Sequence, residues 1–170
     1  LSTLTSSGGG TIEVTAGGAI SDISVSETAN VLTAGLAVLT AVGGIGAVGA
    51  GDLDTEVVQL DGLNTGNTGD IVIEETAIGG DISLKRLYQS SAAGAGSIIV
   101  YTPNGTITLA EGQSGVKVDG SGHILIMAQD PDVSKESDVV ISAGVTTGAG
   151  HVSIIAADSV DQRANITAAG

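Results

Sequence analysis

The sequence has no cysteine, tryptophan or phenylalanine and only two tyrosines. Without cysteine there is neither a disulfide framework nor a thiolate metal site. With aromatics at 1% of residues, the walls that most small-molecule pockets are built from are missing, which weighs against an enzyme with a shaped cleft. Positive charge is equally scarce: 5 Lys and Arg stand against 19 Asp and Glu, a formal net charge of −14. A nucleic-acid partner is excluded on that ground, because phosphate backbones are held by clustered cations. Nor does a basic n-region followed by an apolar stretch open the chain, which begins at Leu1. It reads as a processed chain or an excerpt, with any secretion signal outside it.

What is present is aliphatic. Hydrophobic residues make up 42%, 27 residues are glycine and the mean hydropathy is +0.39, the opposite of a disordered composition. A length of 170 residues suits one domain with its own core. Residues 31–51 carry no charge and are long enough to span a bilayer. They are glycine-rich and lack flanking Lys or Arg, so no membrane insertion is expected. A soluble helix over residues 27–42, with Leu32, Leu36 and Leu39 on one side, is the alternative reading of that stretch.

The main signal is a repeat: glycine, a small or polar residue, an aliphatic, any residue, an aliphatic. It occurs at Gly10-Thr11-Ile12-Glu13-Val14, Gly69-Asp70-Ile71-Val72-Ile73, Gly96-Ser97-Ile98-Ile99-Val100, Gly122-His123-Ile124-Leu125-Ile126 and Gly150-His151-Val152-Ser153-Ile154. The last four glycines are 27, 26 and 28 residues apart, and a degenerate copy at Gly35-Leu36-Ala37-Val38 lies 25 after Gly10. Further strand-like pieces follow within each period, among them residues 56–60, 82–84, 107–109, 116–118 and 139–141, separated by Gly, Asn, Asp and Ser corners. This pattern predicts an all-β fold, a right-handed parallel β-helix or β-solenoid of about six coils of about 26 residues, with three short strands per coil.

Alternation along each strand then sends the flanking aliphatics inward and the middle residue outward. The expected inward columns are Ile12, Ile71, Ile98, Ile124, Val152 and Val14, Ile73, Val100, Ile126, Ile154. The repeat glycines are expected to supply positive φ at the corners. The chain is read as a single solenoid over residues 1–170, with a flexible lead-in at 1–9, an irregular coil with an insertion at 31–68 and an acidic loop at 128–137. Neither terminus carries an evident cap, so either the array continues or copies stack end to end.

Gly49-Ala50-Gly51-Asp52-Leu53-Asp54-Thr55, the phrase running from Gly69 through Thr76, and Ser159-Val160-Asp161-Gln162 with Asn165-Ile166-Thr167-Ala168 resemble repeats of giant secreted bacterial β-helical surface proteins of the filamentous-haemagglutinin-like kind. The resemblance implies adhesion, biofilm or cell-surface scaffolding and a secreted, extracellular or cell-surface location. It carries over no catalytic residues. The expected function is a non-catalytic structural segment of a surface protein or extracellular fibre. Its partners would be copies of itself or neighbouring repeats, axial and lateral. The alternative is an adhesin or calcium-dependent glycan-binding module whose loops meet a host-cell or glycan ligand.

Candidate sites follow from the alternation. Val72, Ile99, Tyr101, Leu125, Met127 and Ile155 should face outward on adjacent coils, an apolar strip rarely left bare on a soluble monomer. Either a lateral interface or the chain's own loops, those of residues 128–137 included, would cover it. By contrast Ser83, Thr108 and Lys117 point to solvated faces. Asp130, Asp132, Ser134 and Glu136 alternate oxygen ligands as a calcium loop does, although Lys135 and Ile141 break the EF-hand pattern. Asp52, Asp54 and Glu56 form a second such set; calcium is the only cofactor these residues suggest. His123 and His151, 28 residues apart, should stack, with no third metal ligand evident. Arg86, Arg163, Lys85, Lys117 and Lys135 are read as scattered among different corners. With no aromatic platform, nucleophile elbow or paired-carboxylate cleft, a polysaccharide-cleaving activity is not expected.

Overall fold

The computed structural model describes residues 1–23, 29–76, 80–131 and 136–170. Among these, all regular structure is β: β1 (Leu4–Ser6), β2 (Ile12–Thr15), β3 (Val31–Ala41), β4 (Leu53–Asn64), β5 (Ile71–Glu75), β6 (Ile82–Gln89), β7 (Ile98–Thr102), β8 (Ile107–Leu109), β9 (Gly115–Val118), β10 (Ile124–Ala128), β11 (Val139–Ile141), β12 (Val145–Thr147), β13 (Val152–Ala156), β14 (Val160–Gln162) and β15 (Ile166–Ala168). Every pairing between these strands is parallel. No described helix is long and apolar enough to cross a membrane; residues 31–41, the helical alternative, are β3.

The chain winds as a β-solenoid of about six turns. One axial path runs Leu4, Val31, Thr55, Glu75, and its neighbour continues Glu74, Tyr101, Met127, Ile155. At about 4.8 Å per step, six steps stack roughly 29 Å of β-structure. Three faces result. The first holds β1, the starts of β3 and β4, then β5, β7, β10 and β13. The second holds the start of β6 with β8, β11 and β14. The third holds the end of β6 with β9, β12 and β15. Where the sequence pattern suggests three short strands, β3, β4 and β6 instead run on through a corner, β6 pairing β8 through residues 82–84 and β9 through residues 86–89.

Side-chain columns fill the interior. Ile71, Ile98, Ile124 and Val152 stack as expected, as do Ile73, Val100, Ile126 and Ile154. Ile12 and Val14 do not join them: Ile12 pairs with Ala37 on a path that leads to Leu60 and Leu84, and Val14 with Leu39 on a path that leads to Gly62 and Leu87. The first-face column is extended instead by Ile45 and Ile20, each through a single parallel bridge. The motif is the same on any face, so only spacing assigns it, and the long gap after Gly35 hides the change of face. The pairing of Gly10's unit with the degenerate copy at Gly35 does hold, Ile12 lying beside Ala37. In the lead-in, Leu4–Ser6 forms β1 on β3.

The repeat glycines serve close approach more than positive φ. A Cβ at Gly96, Gly122 or Gly150 would lie 2.2, 1.9 or 2.0 Å from the carbonyl oxygen of Gly69, Gly96 or Gly122 in the preceding turn. Of the last four repeat glycines, Gly69 alone has a positive φ, 84°. Polar residues also enter the core at one corner. Asn64, fully buried, accepts from Gly44 N at 3.2 Å and donates to Gln89 Oε1 at 2.8 Å and to the Thr68 and Gly69 carbonyls at 3.1 Å. Gln89 in turn donates to the carbonyls of Gly69 and Ser97.

Candidate functional site

The outward columns of the first face come in register: Val72, Ile99, Leu125, Ser153, and beside them Glu74, Tyr101, Met127, Ile155. Ile99, Tyr101, Leu125 and Met127 are partly exposed, and Ile155 is 49% exposed. Val72 differs from expectation: it is buried at 2% yet lies outside the interior cluster. The chain leaves the stack beside it for the 47–51 excursion, closed by the antiparallel bridge of Ala47 and Gly51, with Gly46 against the Val72 carbonyl. The apolar strip is therefore shortened at this end. At the other end, Met127 and Ile155 border a shallow groove of about 390 Å³ shared with Gln129, Asp130 and Pro131.

An acidic cluster abuts the strip. Asp52, Asp54 and Glu74 bring one oxygen each within 4.8 Å of the others, Asp54 and Glu74 being register neighbours on β4 and β5. Asp52 and Asp54 are buried. The Tyr101 hydroxyl lies in hydrogen-bond contact with both Asp52 and Glu74. Burial first, then these two acidic partners, raises the Tyr101 pKa far above its ordinary value, so it stays a neutral donor. The sequence pointed to Asp52, Asp54 and Glu56. Glu56 is exposed, and Glu74, contributed by the next turn, stands in its place. Three carboxylates form a hard-oxygen donor set of the kind calcium takes. A third buried acid, Glu75, accepts from Thr55 Oγ1 at 2.9 Å and from Val57 N.

The other calcium candidate is not assembled by what the structure describes. Asp132 and Ser134 lie outside the described residues, as does Lys135; Asp130 is partly exposed and Glu136 exposed, with the Glu136 carbonyl accepting from Thr106 Oγ1. The histidines do stack, rings 5.0 Å apart and 4° from parallel, and belong to a wider device. Asp70 Oδ1 accepts from Ser97 N at 2.7 Å, Ser97 Oγ from His123 N at 3.0 Å, and His123 Nδ1 from His151 N at 3.0 Å. A parallel relay on the next corner runs from Asp81 to Thr106 N, Thr106 to Asp138 N and Asp138 to Ser159 N. The polar residue before β5, β7, β10 and before β6, β8, β11 is thus an acceptor for the turn that follows. The motif's "small or polar" position carried this signal without revealing its use.

Two of the cations are not scattered. Arg86 and Lys117 meet on the third face, where Arg86 pairs in register with Gly115 and Tyr88 with Lys117, and Lys85 precedes Arg86. Arg86 donates from Nε and Nη2 to Asp61 Oδ1 at 2.9 and 2.6 Å. Lys117 lies 2.7 Å from Asp119 and 5.1 Å from the Tyr88 ring centroid, and the Tyr88 hydroxyl donates to Asp119. The Asp119 pKa is lowered by its hydrogen bonds from Lys117 and Tyr88, while Asp119 raises those of Lys117 and Tyr88. In comparisons with known proteins, no family model, no curated protein and no solved structure matches this chain.

Proposed function

We propose that this chain is a non-catalytic structural segment of a secreted bacterial cell-surface protein or extracellular fibre, similar in kind to filamentous-haemagglutinin-like exoproteins. It would be a right-handed β-helix built on three strands per coil. The observation that carries this reading is the aligned outward pair of columns, Ile99 with Leu125 and Tyr101 with Met127 and Ile155, which leaves an apolar stripe along a rod-like stack. Axial continuity comes from the parallel ladder and lateral bundling from the stripe. Ile99→Lys with Leu125→Lys is expected to abolish side-by-side bundling in electron micrographs while β-rich circular dichroism is retained. Bundling that survives the double substitution rejects the stripe as the contact.

A second reading is favoured by the convergence of Asp52, Asp54 and Glu74: a calcium ion would bridge β4 and β5 and brace the 47–51 excursion. Calcium at millimolar concentration is then expected to raise the thermal midpoint of the wild type and not of Asp52→Asn with Glu74→Gln. Equal midpoints with calcium and with a chelator reject it. A calcium-dependent glycan-binding role at this cluster would rest on this same ion and falls with it.

A further inference from the structure

In a chain of net charge −14, the Arg86–Lys117 neighbourhood is a local exception. Of the described Lys and Arg, Lys85, Arg86 and Lys117 lie on β6 and β9, leaving only Arg163 elsewhere. Between them is a groove of about 300 Å³ lined by Arg86, Tyr88, Ser114, Gly115 and Lys117. The groove is enforced by the backbone. Gly115 is the buried register neighbour of Arg86, with φ 73°, and a Cβ there would lie 2.1 Å from the Gly144 carbonyl oxygen, so no side chain extends the Arg86 column at this turn. Arg86 and Lys117 remain 33% and 49% exposed. Each is already paired with one aspartate, yet each keeps N–H groups beyond those the pairs use, since a guanidinium has five and an ammonium three.

The complementary surface lies on the corner between the first and second faces. Asp81, Glu136 and Asp158 are exposed there, tied to one another through Asp138 and Thr106: Asp81 and Asp138 hold successive turns of one relay, Thr106 reaches the Glu136 carbonyl, and Asp158 accepts from Ser137 N. No described Lys or Arg lies on these connections. We infer that the acidic ridge of a second copy of this chain docks in the groove over Gly115, its carboxylates reaching Arg86 and Lys117. Because ridge and groove are different surfaces, the contact is heterologous and propagates as an open lateral array without closing into a dimer. A saccharide is the poorer occupant: Lys117 sits over one face of the Tyr88 ring, and Tyr88 lies in register between Leu63 and Lys117 of the neighbouring turns, so the ring does not stand clear as a platform.

This inference deepens the fibre reading, on which it rests, by adding a polar lateral contact to the apolar stripe. The two contacts differ in salt response. Net repulsion between acidic copies opposes docking at ionic strengths where the screening length is about 30 Å. At about 0.15 M, where it is about 8 Å, local complementarity prevails, and at 1 M the ridge contact is screened as well. Sedimentation velocity of the 170-residue chain across this range is expected to show association peaking at intermediate salt. Arg86→Gln with Lys117→Gln should weaken that association at least tenfold. So should Asp81→Asn with Asp158→Asn, in which the amide oxygen still accepts the Thr106 and Ser137 N–H groups. The two double variants, each weakened alone at intermediate salt, should associate pairwise when mixed, since one keeps the ridge and the other the groove. Circular dichroism of each checks the fold.

Association of the groove variant equal to wild type overturns the proposal, as does failure of the two variants to complement. Association that only grows toward 1 M salt and is lost in Ile99→Lys with Leu125→Lys supports the apolar stripe and rejects the ridge contact. Loss of both contacts, with monomers at every salt concentration, rejects both readings. Binding of an oligouronate to wild type and not to the groove variant, without self-association, reassigns the groove to a saccharide and rejects a second copy as its occupant.

Discussion

Replacing Asn64 by alanine tests whether a buried amide, as much as aliphatic burial, holds the third and fourth turns together. Asn64 is fully buried; its amide accepts from Gly44 N and donates to Gln89 Oε1 at 2.8 Å, with further bonds to the Thr68 and Gly69 carbonyls. Gly69 O keeps Gln89 Nε2 as a donor at 3.0 Å. At least two groups, Gly44 N–H and Gln89 Oε1, then lose the partner described for them. Each buried orphan costs about 1–3 kcal/mol, so Asn64→Ala should destabilise by about 2–6 kcal/mol. The loss should be local, with hydrogen exchange quickening first at Gly44, Gly66 and Gln89 and only later in β13–β15, because contacts in a solenoid run between adjacent turns. Adding Gln89→Val should cost less than the sum of the single changes by about 1 kcal/mol, since the shared hydrogen bond is lost only once. Val118 already occupies the next register position after Gln89, so an apolar residue is compatible with the column. A urea-unfolding loss below about 1 kcal/mol for Asn64→Ala, or strict additivity of the pair, would refute the reasoning.

Two other predictions concern the glycine column and the tyrosine. Gly122→Ala places a Cβ 1.9 Å from the Gly96 carbonyl oxygen, and because backbone must move it should cost at least the roughly 1–3 kcal/mol of an overpacked core, read as a lowered urea midpoint; a change within about 0.5 kcal/mol contradicts the close-approach role. For Tyr101 the folded pKa is raised, so its contribution is fully present below the unfolded value of about 10 and declines as pH rises above it. The slope is at most about 1.4 kcal/mol per pH unit, reduced by the residue's partial exposure. Tyr101→Phe should flatten that alkaline decline, and identical pH profiles of variant and wild type would show that the phenol is not protected.

The parallel solenoid could be read from the sequence because its signal is periodic: an aliphatic pair behind a glycine, every 26 to 28 residues over the last four repeats. The columns through Ile98 and Ile126 followed directly. Ile12 and Val14 were misplaced because the motif looks alike on each face and β3 and β4 run through a corner without punctuation. The acidic cluster was half visible, Asp52 and Asp54 by alternation along one strand; Glu74 comes from the following turn, a neighbour that only register supplies. The same is true of Arg86 and Lys117, 31 residues apart in sequence and adjacent in space. Burial of Val72 depended on the path of residues 47–51, for which glycine-rich sequence offers many conformations.

The side-chain relays through Asp70, Ser97 and His123 give the stack a sense of travel. In each step the acceptor belongs to the earlier turn and the backbone donor to the later one, and the relay through Asp81, Thr106 and Asp138 points the same way. Along these two relays a finished turn therefore holds out fixed acceptors to chain that has not yet settled, while Asn64, Glu75 and Asp158 reach back to Gly44 N, Val57 N and Ser137 N once their own turns are in place. Folding that proceeds from the turn of Asp70 and Asp81 toward the last meets a template at each relay step. A polypeptide delivered amino end first through a narrow passage would lay down its turns in the order in which they emerge.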